Sequence, residues 1–529
     1  MPSVETFFGL LAVVAALTWL AQRIKIEYPI LLVVGGLIIG FIPGLPTIQL
    51  NPDVVFLIFL PPLLYYEAFQ SSIRDFRTNL RLITLNAVFL VIVTIAAVAI
   101  VAHALIPGLP WAAAVVLGAI LGPTDETAAI AIASRLNVAR RLITIIKAES
   151  LFNDATSLVI YNVALVAAVT GTFSWALGIW QLFIDAVGGV CIGLAVGWLM
   201  RIIRTRIDDL LLQNTASLLT GYAAYYLADA LHFSGVLAAL TAGLYLGRHA
   251  ETFTSPSSRI QITAQRDITL YLINGILFIL VGLQLHPILN GLSIHMAPSR
   301  LLYLALLVSL TVILVRILWA FPAVYLPRVL SRRIRAAEGT PSWRNVVVAS
   351  WTGLRGGVSL AAALAVPLTV ASGAAFPDRP LILFLTFAVI FATLVVQGLT
   401  LQPLIRFLRI TSETDDREET LARVKAARAA YAALGKLEGE PWADAAVVAD
   451  LRGHLKTSLE HRTAARDHVL TPEQRRAAES LYRIRRELND AQSRELVRLR
   501  NEGAINEATM TKIVRELDLQ ALEAEAGKP

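Results

Sequence analysis

Two carboxylates and one carboxamide lie within six residues, at Glu149, Asn153 and Asp154, directly before the apolar stretch 155–169. Ser150 and Asp154 are four residues apart, so on a helix they share one face, while Glu149 and Asn153 share the adjacent face. A charge at the centre of a bilayer costs about 2.5–3.5 kcal/mol on insertion scales, so a carboxylate there is a candidate functional group. Oxygen ligands of these types favour Na⁺, Li⁺, K⁺ or a proton over a soft transition metal.

The composition indicates a protein that crosses a membrane many times. Hydrophobic residues make up 56% and charged residues 16% of the 529, and the mean hydropathy is +0.64, which excludes an ordinary soluble enzyme. No basic region precedes the first apolar segment, so we expect that segment to be a retained span rather than a secretory signal. After Ile410 the composition changes, because 42 of 119 residues are charged there, against 43 of the first 410. We therefore predict a transmembrane domain over 1–410 and a helical tail, a candidate regulatory domain, over 411–529.

Thirteen apolar segments approach or exceed the length needed to span a bilayer, which is about 20 residues. They are 4–21, 29–42, 53–69, 81–106, 110–134, 140–169, 174–200, 207–228, 233–247, 266–286, 301–327, 344–367 and 380–408. Alternate connections and their edges hold nineteen arginines and lysines, and the other connections hold two. Since positive charge concentrates in cytoplasmic connections, we predict that the N-terminus lies outside and that the tail is cytoplasmic.

The fifth and twelfth segments contain residues that interrupt a helix at membrane depth. The fifth carries Gly-Pro-Thr-Asp-Glu-Thr at 122–127, and the twelfth carries Thr-Gly-Leu-Arg-Gly-Gly at 352–357. Proline lacks a backbone donor and glycine weakens a helix, and freed backbone groups at that depth must face protein or a wet cavity. Because the two segments are seven spans apart, they run in opposite directions, as in inverted repeats whose broken helices meet at a midplane site. The sequence therefore predicts an all-α polytopic fold of about 13 transmembrane helices, two of them broken and crossing.

Further charges lie inside the predicted spans. Asp154 lies about 20 Å beyond the inner edge of the sixth span if the helix rises by about 1.5 Å per residue. That depth is near the bilayer centre. Asp125 lies about halfway along the fifth span, and Glu67 lies near the inner end of the third. Arg355 is at midspan in the twelfth, and a buried arginine needs a carboxylate partner. We therefore predict a structural ion pair between Glu149 and Arg355.

Four motifs carry a resemblance to a known family. They are LPPLLYYEAF at 60–69, GPTDETAAIAI at 122–132, ESLFNDATSLVIYN at 149–162 and GLRGGVSLAAALAVP at 353–367. Over about residues 1–410 the chain resembles the bacterial monovalent cation:proton antiporters of the Na⁺/H⁺ exchanger superfamily, in the branch with an Asn-Asp pair. The resemblance implies exchange of Na⁺, or Li⁺ or K⁺, for H⁺ in pH and sodium homeostasis. It also implies a homodimer in the plasma (inner) membrane, with no cofactor besides the transported ions.

The resemblance also implies roles for single residues. Asp154 would bind cation and proton by turns, and Asn153 would support the site. The further ion ligands would be Ser150, Asp125, Thr124 and Glu67, with Thr124 acting through its carbonyl. In the electrogenic branch the residue at the position of Asn153 is a second aspartate. Because this chain has a neutral asparagine there, the resemblance favours electroneutral 1:1 exchange.

The mechanism also follows from electrostatics. An unpaired carboxylate in a dry site is costly, so Asp154 must hold either a cation or a proton. If the domain switches sides only with Asp154 neutralised, exchange is obligatory. The opposite movement of two like charges then cancels electrically.

Other readings stay open at this stage. A K⁺-selective cation/H⁺ antiporter fits the same residues, because the sequence does not fix the preferred cation. A channel or an organic-anion symporter on a similar scaffold is disfavoured, since the breaks carry mostly carboxylates. An intramembrane aspartyl protease would need a Gly-x-Gly-Asp context, which is absent. In the tail we predict helices over 418–436, 472–500 and 504–525, with neither a nucleotide-binding motif nor a nucleic-acid partner.

Overall fold

Helices account for nearly all of the chain that the structure describes. The computed structural model describes residues 4–43, 52–71, 80–126, 129–130, 132–133, 136, 140–171, 175–207, 209–253, 256–292, 296–338, 341–410 and 415–437, and short stretches between 440 and 502. The helices are α1 Val4–Ile24, α2 Tyr28–Gly40, α3 Pro52–Phe69, α4 Leu80–Leu105, α5 Trp111–Ile120, α6 Arg140–Thr170, α7 Trp175–Arg204, α8 Leu210–Ala230, α9 Gly235–Phe253, α10 Pro256–Leu292, α11 Pro298–Leu330, α12 Arg332–Glu338, α13 Trp343–Trp351, α14 Gly357–Leu364, α15 Arg379–Phe407 and α16 Asp415–Leu437. Within these ranges the only β-bridge is an isolated one between Thr369 and Ala375. The predicted all-α class is therefore confirmed.

The predicted apolar segments coincide with these helices. Segments one to eleven match α1 to α11, segment twelve matches α13 with α14, and segment thirteen matches α15. Six helices (α4, α6, α7, α10, α11 and α15) contain stretches of 22 to 33 residues that are apolar enough to cross a membrane. Four others contribute shorter apolar stretches of 10–17 residues. The chain is therefore a polytopic membrane protein. The count of thirteen crossings stays a prediction.

Both predicted interruptions are breaks in a helix. α5 ends at Ile120 and residues 121–126 are not helical, whereas α13 ends at Trp351 and α14 begins only at Gly357. The unwound stretches touch, because the amide of Asp125 donates to the carbonyl of Leu354 at 2.7 Å. A Cβ atom on Gly356 would overlap the side chain of Asp125, so the approach requires glycine. The prediction of two broken helices that cross is confirmed.

Two π turns lie next to this crossing. One covers Leu85–Leu90 in α4 and the other covers Ala392–Gln397 in α15. Each supplies a polar side chain: Asn86 donates to Glu149 in α6 at 3.1 Å, and Thr393 accepts from the amide of Arg355 at 3.1 Å. Single π turns are frequent at functional sites, and here they direct side chains from two continuous helices toward the broken ones.

The chain divides into two compact units, residues 1–411 and 412–529. The apolar core of the first unit is formed by buried side chains from most of its helices. In the second unit α16 contains the predicted helix 418–436, which is thereby confirmed. The predicted helices over 472–500 and 504–525 fall largely outside the described residues, and the cytoplasmic position of the tail stays a prediction.

Candidate functional site

Asp154 lies near the middle of α6, directly before the apolar second half of that helix. Its residue surface is 3% exposed, and its Oδ1 atom has no hydrogen-bond partner among the residues described. A buried charge without a partner is costly. The carboxylate is therefore suited to hold an ion or a proton that enters and leaves.

Thr124 connects the unwound part of the fifth segment to α6 through two hydrogen bonds. The Ser150 hydroxyl donates to the main-chain carbonyl of Thr124 at 2.5 Å. The Asn153 side-chain amide donates to the Thr124 hydroxyl at 2.6 Å. All three residues are buried, so the structure brings neutral oxygens from the unwound stretch and from α6 to the neighbourhood of Asp154.

A small cavity of about 20 Å³ separates α6 from the two breaks. It is lined by Leu63, Glu67, Pro123, Thr124, Asp125, Glu126, Ser150, Asp154, Asn274, Gly356, Gly357, Val358 and Ser359. A space of this size holds about one water molecule, so it fits a small dehydrated cation and no organic substrate. Of the predicted ion ligands, the cavity gathers Asp154, Asp125, Ser150, Thr124 and Glu67. Asn153 contacts the same assembly through Thr124 rather than through the cavity wall.

The donor atoms of this cavity are carboxylate, hydroxyl and carbonyl oxygens, which are the ligands that hard cations prefer. In the described part of the chain, no three His, Cys, Asp or Glu side chains are grouped closely enough to hold a metal ion together. A cation in the cavity would thus combine carboxylate oxygen with neutral oxygen.

The prediction that Glu149 pairs with Arg355 is wrong, because the cation in contact with Glu149 is Arg316. Glu149 Oε1 lies 2.6 Å from Arg316 Nη1 of α11, with both side chains 5% exposed. Glu149 Oε2 accepts from Asn86 at 3.1 Å, and Arg316 Nη2 donates to the carbonyl of Ala349 at 3.3 Å. The pair therefore joins α6 to α11 beside α13.

Arg355 instead holds the backbone at the crossing. Its Nε donates to the carbonyl of Leu121 at 3.2 Å and its Nη1 donates to the carbonyl of Gly353 at 2.5 Å. Leu121 and Gly353 follow directly on the last turns of α5 and α13, where carbonyl groups lack helical partners. Arg355 is 2% exposed and is satisfied largely by main-chain oxygens.

Sequence reasoning missed three polar residues of this region. Arg316 could have been found by the same criterion as Arg355, because it is a charge inside the eleventh predicted span. Glu126 adjoins Asp125 and is 8% exposed, and Asn274 is 7% exposed within α10. Both line the cavity, but a lone asparagine in a span gives only a weak sequence signal.

Comparisons with known proteins found similar sequences among sodium/hydrogen exchangers. The family model described as the transmembrane sodium/hydrogen exchanger matches residues 9–407. A Mycobacterium tuberculosis protein, described as an uncharacterized Na⁺/H⁺ exchanger, is 36% identical over 98% of this chain and 96% of its own length. The low-affinity Na⁺/H⁺ antiporter NhaS1 of Synechocystis is 30% identical, covering 83% of this chain and 82% of its own. A sodium, potassium, lithium and rubidium/H⁺ antiporter of Bacillus pumilus is 30% identical over 71% of this chain and 57% of its own.

A solved structure shares the fold. The sodium proton antiporter MjNhaP1 of Methanocaldococcus jannaschii superposes with a TM-score of 0.61 at 22% identity. The match covers 77% of this chain and 98% of that one. At this identity the likeness concerns the fold.

Proposed function

Since the chain belongs to the sodium/hydrogen exchanger family, and thus exchanges a monovalent cation for a proton across the cell membrane, we propose that this exchange takes place at Asp154. The observation that carries the proposal is the 20 Å³ cavity in which Asp154 meets the oxygens of Thr124 and Ser150. Only one small ion fits there at a time. Cation and proton therefore compete for a single carboxylate.

Competition for one carboxylate produces obligatory exchange. A buried carboxylate that has lost both ions would carry an uncompensated charge into the apolar surroundings, which is costly. The domain therefore changes its access from one side to the other only when Asp154 is neutralised by a cation or by a proton. Each full cycle carries one cation one way and one proton the other.

The cycle is electroneutral, because the neutral Asn153 stands beside Asp154 and its amide is committed to the Thr124 hydroxyl at 2.6 Å. One carboxylate then carries one positive charge in each direction. A cycle that moved net charge would respond to membrane potential by about 2.3 kcal/mol per 100 mV. Clamping the potential with K⁺ and valinomycin across proteoliposomes, with Na⁺ as substrate, is expected to leave the exchange rate unchanged. A rate that follows the imposed potential would overturn electroneutrality.

The central experiment measures cation-driven proton movement in proteoliposomes that contain a pH-sensitive dye. Wild type is expected to respond to at least one of Na⁺, K⁺ and Li⁺, and Asp154→Asn is expected to respond to none of them. The three cations also decide between a sodium-preferring and a potassium-selective exchanger. Thr156→Ala is a matched control on the same helix, because among the described residues its hydroxyl bonds within α6 alone, to the carbonyl of Phe152. Exchange retained by Asp154→Asn would refute the assignment.

We extend the proposal to the assembly and its orientation. The protein is a homodimer with its N-terminus outside and its tail in the cytoplasm, as the family resemblance and the arginine distribution indicate. Light scattering on the purified protein measures the mass of the assembly. Protease accessibility of a C-terminal tag in sealed vesicles of known orientation measures the side of the tail, and protection in inside-out vesicles would reverse the orientation.

A further inference from the structure

A second, larger cleft adjoins the ion cavity. It has a volume of about 340 Å³ and is lined by Tyr28, Glu67, Gln70, Glu126, Ile130, Lys147, Asp267, Leu270, Tyr271 and Asn274. Three of these residues, Glu67, Glu126 and Asn274, also line the small cavity at Asp154. They therefore lie between a space that admits a hydrated ion and a space that admits about one water molecule, and we call these three residues the neck.

Glu126 is the carboxylate of the neck that the exchange at Asp154 does not use. It follows Asp125 in the unwound stretch, and its carbonyl accepts from the amide of Ile130 at 2.7 Å, where the chain becomes helical again. Its surface is 8% exposed, and its Oε2 atom has no hydrogen-bond partner in the described ranges. A carboxylate oxygen is thus left available in the wall between the two spaces.

Lys147 brings the opposite charge into the same cleft. Its ammonium group donates to the side chain of Gln70 at 3.2 Å. It lines the same cleft as Glu67 and Glu126. The ammonium is a tethered cation beside the carboxylates, and it repels a free cation that approaches them.

We propose that Glu126, together with Glu67 and Asn274, binds the transported monovalent cation at the neck before it reaches Asp154, and that Lys147 weakens this binding. The inference rests on the proposed exchange at Asp154. A cation must lose most of its hydration shell to pass from the cleft into the cavity. Carboxylate and amide oxygens at the neck replace the lost water oxygens at the point where desolvation begins.

The test exploits the opposite signs of the two charges. In the proteoliposome assay, Glu126→Gln is expected to raise the apparent KM for the cation about tenfold, with a smaller change in the maximal rate. Lys147→Gln is expected to lower the apparent KM several-fold. A tenfold change corresponds to about 1.4 kcal/mol, the size of one charge interaction in a partly wet site. A packing defect does not improve apparent affinity, so the decrease in Lys147→Gln distinguishes electrostatics from structural damage.

Asp267→Asn is the matched control, since it removes one negative charge from the same cleft. Asp267 does not line the small cavity, its side chain is 62% exposed, and it already pairs with Arg266 at 2.9 Å. Its KM is expected to stay within about twofold of wild type, because exposed and paired charges contribute little. Protection of each purified variant by Na⁺ or Li⁺ against thermal unfolding provides a binding measurement that does not depend on transport.

The outcomes separate this inference from the function on which it rests. Wild type without exchange would refute the proposed function itself. Active wild type with an unchanged KM in Glu126→Gln would overturn the neck site alone. Folded Glu126→Gln without any exchange would also overturn it, because Glu126 would then belong to the central site. An equal KM increase in Asp267→Asn would show that the effect comes from the general charge of the cleft, and it would overturn the neck site.

Discussion

Replacing Arg316 with methionine is expected to destabilise the protein strongly, because Arg316 is the cation that contacts the buried carboxylate of Glu149. The guanidinium lies 2.6 Å from Glu149, and both side chains are 5% exposed. Without Arg316 the Glu149 carboxylate keeps the Asn86 hydrogen bond at 3.1 Å but loses its contacting cation. Removing one partner of a buried pair costs about 3–5 kcal/mol, because the other charge stays uncompensated.

A second substitution tests this explanation, because it is expected to restore stability instead of lowering it further. Adding Glu149→Gln to Arg316→Met removes the uncompensated charge and leaves a neutral amide that can still bond with Asn86. The double variant is therefore expected to be more stable than Arg316→Met alone, by about 2 kcal/mol or more. Thermal and denaturant unfolding of the purified variants in one detergent measures the series.

Arg355→Met is the comparison that distinguishes the two arginines. Arg355 donates to the carbonyls of Leu121 and Gly353, so its loss is expected to destabilise the crossing while Glu149 keeps its contact with Arg316. Adding Glu149→Gln to Arg355→Met should then give no rescue, because Arg316 loses its contacting carboxylate. Rescue of Arg355→Met, with no rescue of Arg316→Met, would show that Glu149 is paired with Arg355 and would refute its pairing with Arg316.

Two further predictions concern the site itself. Gly356→Ala is expected to abolish exchange in proteoliposomes, because its Cβ would overlap the Asp125 side chain, while Gly9→Ala, which has open space around its Cβ, should exchange like wild type; an active Gly356→Ala would contradict the close crossing. Ser150→Ala removes the hydroxyl that lies 2.5 Å from the Thr124 carbonyl, and the loss of about 1–1.4 kcal/mol predicts a five- to tenfold higher KM for the cation. Thr156→Ala serves as its control, and an equal KM in both variants would exclude Ser150 from the ion site.

Much of the fold and part of the site could be predicted from local sequence signals. Glycine and proline mark the breaks at Gly122-Pro123 and Gly356-Gly357, because their backbone properties act where they stand. Helical spacing places Ser150 and Asp154 on one face of α6. The pairing of Glu149 could not be predicted in this way, since it depends on how α11 is rotated against α6. Two midspan arginines were available, and only the packing places Arg316 in contact.

The same limit explains Glu126 and Asn274. They are in different helical segments, on either side of a neck that exists only after the third, fifth, sixth and tenth segments have packed. A carboxylate next to Asp125 has no distinctive spacing, and an asparagine in a span has many structural uses. Their shared position between two cavities is a property of the packing.

The position of Arg355 shows how a buried arginine can be stabilised without a contacting carboxylate. A helix that stops at membrane depth leaves its last carbonyls without helical donors and carries a partial negative charge at that end. Both α5 and α13 stop in this way, and Arg355 donates to Leu121, just past the end of α5, and to Gly353, just past the end of α13. Two further carbonyls of the breaks are also used, since Leu354 accepts from Asp125 and Thr124 accepts from Ser150. Of these acceptors, only Thr124 is held by a hydroxyl that can rotate away, so a cation can take that carbonyl without unmaking the crossing.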